Sequence, residues 1–312
     1  MRRRRGSKGT ALALLAALWL VGMTTTAQAN YTRTRYPIVL AHGLSGFDQL
    51  FGVYEYWFRI PSALRSGGAT VFVTEVSQFA DAELRGEQLL AQVEEIVAIT
   101  GKGKVNLIGH SMGGFDARYV ASVRPDLVAS VTTIATPHKG AELATFLRAN
   151  VREGGFTEQA LSFFAERLGD VVALVSGARQ PQDGVDALES LSADGAARFN
   201  ARHPQGLPAT RCGQGAAQVN GVRYYSWSGT RVFTNIFDIS DGLLALTSLV
   251  YSEPNDGLVG RCSSHFGQVI RDNYPQNHLD EVNQILGLVR FFGPSPRSQL
   301  RAHANRLRRA GL

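Results

Sequence analysis

Short unbroken apolar runs alternate with longer stretches in which apolar residues recur every three or four positions. RYPIVLAH (35–42), TVFVTEV (70–76), KVNLIGH (104–110), VTTIAT (131–136) and VRYYSWSG (222–229) each have the length and β-branched content of a buried strand. Between the second and third, ELRGEQLLAQVEEIVAIT places Leu84, Leu89, Leu90, Val93, Ile96 and Val97 along one helical face. GGFDARYVASVRP then predicts a helix that ends near Pro125. Strands that need cover on both faces, separated by helices, predict an α/β protein with a mostly parallel central sheet flanked by helices.

The rhythm breaks after residue 141. In FTEQALSFFAERLGDVVALVSG, Leu161, Phe164, Leu168, Val171, Val172 and Val175 recur at helical spacing behind Gly154 and Gly155. Such a stripe serves either as a core face or as a mobile lid. The region 141–178 is therefore read as a helical lid inside one domain spanning 30–312, since no linker, repeat or charge boundary divides that length.

Residues 1–29 differ from the rest. Four arginines and Lys8 precede an apolar stretch from Ala11 to Met23 and a small-residue site at Ala27-Gln28-Ala29, the order of a secretory signal. Its five basic and no acidic residues take the formal charge of +6 down to +1 in the remainder. No basic groove for nucleic acid is expected. The basic tail PRSQLRAHANRLRR is read as a solvated helix or an anionic-surface contact. Export to an oxidising compartment makes one disulfide between Cys212 and Cys262 the natural state of the two cysteines.

LIGHSMGGF (107–115) carries Gly109-x-Ser111-x-Gly113 between a predicted strand and a predicted helix. A serine raised on so tight a turn suits nucleophilic attack, and the glycines leave room for the turn. A serine hydroxyl needs a base and an orienting acid, which follow it in chain order in this architecture. Position leaves His265 and His278 as bases, while Asp256, Asp238, Asp241 and Asp272 compete as acids. Asn255-Asp256-Gly257 is a turn signal in its own right. An oxyanion would be held by the Met112 N–H and by Leu44 in LAHGLSGF; His42 there is read as structural.

YPIVLAHGLSGFD, FVTEVSQ, EQLLAQVEEI, KVNLIGHSMGG, TPHKG, ESLSADGAARFN, YYSWSG, NDGLVGRCSSHFGQVIRDNYPQNHLDEVNQ and HANRL together resemble the secreted bacterial triacylglycerol lipases of the Pseudomonas and Burkholderia group. The resemblance covers nearly all of the chain after the leader and implies the α/β-hydrolase fold. It assigns Ser111 as nucleophile, Asp256 as acid and His278 as base, with His265 outside the triad, and it matches the family's disulfide. It also implies one structural calcium ion, bound by the carboxylates of Asp238 and Asp280 and the carbonyls of Gln284 and Leu288, with Asp241 and Glu281 as nearby alternatives. Expected partners are acylglycerol esters, the lipid–water interface and a membrane-tethered folding chaperone. The expected location is extracellular. Rival readings are a soluble carboxylesterase or polyester depolymerase with the same triad, and an inactive secreted lipid-binding module.

Overall fold

The structure is a computed structural model that describes residues 30–44, 49–50, 54–78, 80–150 and 184–312. The leader at 1–29 and most of the expected lid, including its apolar stripe at 161–175, lie outside these residues.

Strand β1 (Ile38–Ala41) is followed by a small antiparallel hairpin, β2 (Gln49–Leu50) with β3 (Tyr54–Glu55), then helix α1 (Ile60–Arg65) and β4 (Val71–Thr74). Helix α2 (Ala82–Thr100), β5 (Val105–His110), α3 (Gly113–Val123) and β6 (Val128–Ile134) come next. After α4 (Glu142–Asn150), α5 (Gly184–Leu191) and α6 (Ala193–Arg202), the chain adds β7 (Gln218–Val219), β8 (Val222–Gly229), α7 (Ser240–Thr247), β9 (Gln268–Tyr274) and α8 (Pro296–Arg309). The main sheet runs β4-β1-β5-β6-β8, with short antiparallel β7 and parallel β9 both on the outer side of β8.

Every residue of β5 and β6 is buried, as strands covered on both faces require. Alternate side chains feed two cores. Val39, Leu107 and Val131 face Leu89, Val93 and Ile96 of α2 and Val120 of α3. Ile38, Leu40, Ile108, Ile134 and Trp227 face Ile60 and Leu64 of α1 and Leu300 and Ala304 of α8. Asp81 caps α2 by accepting from the Glu83 and Leu84 N–H groups, and Gly101 ends it in the left-handed conformation. From β1 the chain moves outward to β4, then back across β1 to β5. The loops leaving β1 and β5 therefore lie side by side, at the point where strand order reverses and ligands bind in such sheets.

Three sequence expectations change. Leu84 is half-exposed on the first turn of α2, and the fully buried side chain at its shoulder is Arg85. The segment from Arg271 to Tyr274, which none of the five predicted strands includes, completes β9, a polar strand partly exposed throughout at the sheet's margin. The basic tail is not merely solvated: α8 buries Leu300, His303, Ala304 and Leu307, while Arg301 donates to the Ala63 carbonyl of α1 at 2.7 Å. Its 3.6-residue periodicity was masked by arginines on the outer face.

Leu300→Ala should therefore lower unfolding free energy by about 2–5 kcal/mol, whereas Leu84→Ala should stay within about 0.5 kcal/mol of the parent. Denaturant titration of the two variants checks the contrast.

Candidate active site

Strand β5 ends at His110, and Ser111 takes φ 54°, a left-handed backbone that a side-chain-bearing residue adopts only under constraint. The constraint is visible on all sides. The Ser111 N–H donates to the Ile134 carbonyl of β6 at 2.8 Å, and the Gly114 N–H donates to the Ser111 carbonyl at 3.1 Å. A Cβ on Gly109 would lie 2.2 Å from the Gly113 carbonyl oxygen, and one on Gly113 would lie 2.5 Å from the carbonyl oxygens of Ala41 and His42. Only glycines allow strand, turn and helix to close this tightly, so the G-x-S-x-G spacing is a packing requirement of the turn. Met112 is fully buried and stands at the N-terminal cap of α3, with its N–H at the positive end of the helix.

Gly43, on the neighbouring loop from β1, approaches so closely that a Cβ there would be 2.7 Å from Ser111 Cβ. Leu44 follows it, partly buried against the apolar cluster that contains Met112 and Phe115. The two backbone groups anticipated as oxyanion donors thus flank the same serine.

Asp256 is completely buried, and its Oδ2 lies 2.8 Å from His278 Nδ1. Its Oδ1 accepts from the N–H groups of Leu258 and Val259, and the His278 N–H returns to the Asp256 carbonyl at 3.0 Å. The carboxylate is therefore fixed at both oxygens, and the imidazole keeps Nε2 for another partner. The Asn255–Gly257 turn is also present: Asn255 bridges Gly260 and Gly257 has φ 102°. The His278 ring lies 4.5 Å from the ring of His110, the residue before Ser111. Among the described residues the Ser111 hydroxyl forms no hydrogen bond with His278.

The competing residues are engaged elsewhere. His265 Nε2 contacts Asp272 Oδ2 at 3.0 Å, and Asp272 also pairs with Arg261. His110 Nδ1 lies 2.6 Å from Tyr56 Oη, and burial followed by the repulsion of His278 holds its pKa well below the ordinary histidine value. His138 is locked between Arg118 and Thr133 and stacked on Phe266. Tyr56, Arg85 and Asp116 were not singled out by the sequence. The one signal was a lone arginine entering an apolar helical face.

A second polar cluster adjoins His278. Asp238, Asp241 and Asp280 are all buried. Asp241 is saturated, accepting from the N–H groups of Thr234 and Asn235 and from Asn277 Nδ2 at 2.6–2.7 Å. Asp238 Oδ2 and Asp280 Oδ1 instead have no hydrogen-bond partner among the described residues. Burial, with the charges of Asp238 and Asp241, pushes Asp280 up to about 7. Gln284 is buried beside them, and Leu288 closes a curl in which Asn283, Ile285, Leu286 and Gly287 all have positive φ. Uncompensated buried carboxylate oxygens on two neighbouring loops fit a hard divalent cation. Cys212, Glu253 and Cys262 also converge, but the sulfurs form a disulfide and are not thiolate ligands.

The chain from 36 to 265 matches the family model described as alpha/beta hydrolase fold. A triacylglycerol lipase of Vibrio cholerae is 51% identical over 305 residues, covering 97% of each chain. One from Pseudomonas fragi is 44% identical, covering 89% of this chain and 98% of its own. The crystal structure of Staphylococcus hyicus lipase superposes with a TM-score of 0.58 at 18% identity, over 89% of this chain and 97% of that one.

Gly113→Ala should abolish turnover by more than about a hundredfold, because its methyl meets backbone oxygens that cannot yield without moving β1 or Ser111. Steady-state kinetics with circular dichroism on the purified variant checks this.

Proposed function

This chain belongs to the alpha/beta hydrolase fold family and, within it, to the triacylglycerol lipases; we propose that Ser111, His278 and Asp256 carry out its ester hydrolysis. The observation that carries the proposal is a strained, glycine-walled serine whose chain neighbour His110 packs its ring against that of His278, a histidine oriented by a buried aspartate. His278 Nε2 takes the proton of the Ser111 hydroxyl as its oxygen attacks the ester carbonyl carbon. Asp256 holds the Nδ1–H tautomer and offsets the charge of the imidazolium. The N–H groups of Leu44 and Met112 receive the developing oxyanion. Collapse expels the glyceride alkoxide, which takes the proton from His278. Water then repeats the sequence on the acyl-enzyme and releases the fatty acid.

Calcium belongs to the proposal as a structural ion. Asp238 and Asp280 would hold it through the oxygens that lack hydrogen bonds, with the carbonyls of Gln284 and Leu288 completing the oxygen set. The ion would supply a cross-link between the two loops; what the chain itself contributes is the placement of His278 two residues before Asp280. Secretion through the leader 1–29, a lid at about 141–178 and dependence on a membrane-tethered folding chaperone complete the reading. Exposed Phe233, Ile236, Phe237, Leu249, Leu286 and Phe292 support action at a lipid–water interface, since they concentrate on segments flanking the His278 loop.

Ser111→Ala should lower kcat by about 10⁴-fold or more on tributyrin or triolein emulsions, with melting unchanged. A parent enzyme that gains no rate on emulsion over dissolved short-chain ester would instead be a carboxylesterase. Chelation should lower both the melting temperature and the activity, and added Ca²⁺ should restore both; identical melting curves with and without chelator would remove the ion from this site.

A further inference from the structure

We infer that His42 and Arg85 are positioning residues that fix the plane of the Gly43–Leu44 peptide and so aim the Leu44 N–H before substrate arrives. The inference rests on the reading of that N–H as an oxyanion donor. In a planar trans peptide the carbonyl and the following N–H point in opposite directions, so whatever grips the Gly43 oxygen sets the direction of the Leu44 hydrogen.

Two groups grip it. His42 Nδ1 lies 2.8 Å from the Gly43 oxygen, and Arg85 Nη2 lies 3.4 Å from it. The Val76 N–H donates to His42 Nε2 at 3.2 Å, which leaves that nitrogen without hydrogen and makes Nδ1–H the donor to Gly43. Burial, reinforced by the Arg85 charge, lowers the His42 pKa to about 3, so this neutral tautomer persists across the working range.

The preceding peptide is held as well. Arg85 Nη2 donates to the His42 carbonyl at 2.8 Å, and the Gly43 N–H donates to Tyr56 Oη at 3.0 Å. Arg85 is itself immobile: fully buried, it pairs with both oxygens of Asp116 on α3 and donates from Nη1 to the Ser77 and Gln78 carbonyls. One guanidinium thus ties the loops after β1 and β4 to the helix that follows the nucleophile. Four hydrogen bonds from three side chains thus hold the two peptide planes against Ser111, more than packing of a short loop requires. A donor pre-aimed at developing charge needs no reorganisation during reaction.

The two conservative replacements of His42 separate its two hydrogen bonds. Asn presents an amide at the position of Nδ1 and retains a donor for Gly43; Gln reaches the position of Nε2 and retains an acceptor for Val76. On dissolved p-nitrophenyl butyrate, His42→Gln should lose about a hundredfold in kcat with KM within threefold, the loss expected for one oxyanion donor. His42→Asn should exceed His42→Gln in kcat by at least tenfold, although both melt within a few degrees of each other. Equal kcat in the two, or kcat losses that rank with melting temperature, would overturn the inference. Should neither variant fold, Arg85→Met combined with Asp116→Leu removes the second grip without stranding a buried charge. A tenfold or larger fall in its kcat at unchanged KM supports the inference, and parent-like kcat overturns it. Stoichiometric labelling of the parent at Ser111 by an alkyl p-nitrophenyl phosphonate separates the two levels: no labelling would defeat the serine mechanism itself, whereas normal labelling confines any failure to His42 and Arg85.

Discussion

The left-handed backbone at Ser111 is the constraint on which the rest of the structure depends. A residue with a side chain in that conformation carries about 1–3 kcal/mol of strain, which must be offset by its surroundings. The offset comes from a sheet whose central strands are wholly buried and from glycines that let β1, β5 and α3 meet at backbone distance. Because β1 and β5 are parallel neighbours, with Ala41 opposite Gly109, the same approach that strains the serine delivers Gly43 and Leu44 to its side. The proposed nucleophile and its expected oxyanion cradle are therefore two consequences of one packing event.

The proposed acid–base pair is held by a different device. Asp256 and His278 sit on loops beyond the sheet, where no ladder of strand hydrogen bonds fixes them. Short-range bonds do that work instead: two N–H groups clamp Asp256, and Asp241 gathers Thr234, Asn235 and Asn277 around the turn before His278. The Cys212–Cys262 disulfide, closing a separation of 50 residues, anchors the chain six residues past Asp256. A loop of that length contributes about 2–4 kcal/mol through the unfolded chain, enough to matter for a segment poor in core contacts. Rigidity at the serine is built into the core, while rigidity at the histidine is cross-linked from outside.

This division explains which parts were legible in the sequence. Buried parallel strands and glycines at fixed spacing leave local signatures, and all five anticipated strands and the elbow lie where the pattern put them. Polar contacts between distant segments leave none: Arg85 meets Asp116 across 31 residues and His42 meets Val76 across 34. Composition made Leu84 look like core and Arg85 like surface, but a guanidinium with six acceptors in reach is better buried than a leucine at an exposed helix start. β9 and α8 were obscured for a related reason, since β9 is polar and nowhere fully buried, and α8 mixes charge into its outer positions while burying the other face. Position alone could not separate Asp256 from Asp272, because both pair with a histidine in the folded chain; only the ring contact between His278 and His110 places one of those pairs beside Ser111.

The exposed apolar side chains complete the physical logic. Ile236, Phe237 and Ile239 stand on the segment around Asp238, and Leu286, Phe291 and Phe292 on the segment beyond Asp280, each more than half exposed. Apolar groups left in water add nothing to folding and invite self-association, so a soluble surface gains nothing by concentrating them. A lipid surface reverses that balance, since each becomes favourable once it leaves water. Both segments are rooted in the polar knot formed by Asp238, Asp241, Asn277 and Asp280, where Asn235 Nδ2 also donates to the Val289 carbonyl at 3.0 Å. Whatever binds these apolar residues therefore pulls on the loop that carries His278. A knot saturated at Asp241 and completed by a cation at Asp238 and Asp280 would let the protein meet a disordered interface without transmitting that disorder to the histidine.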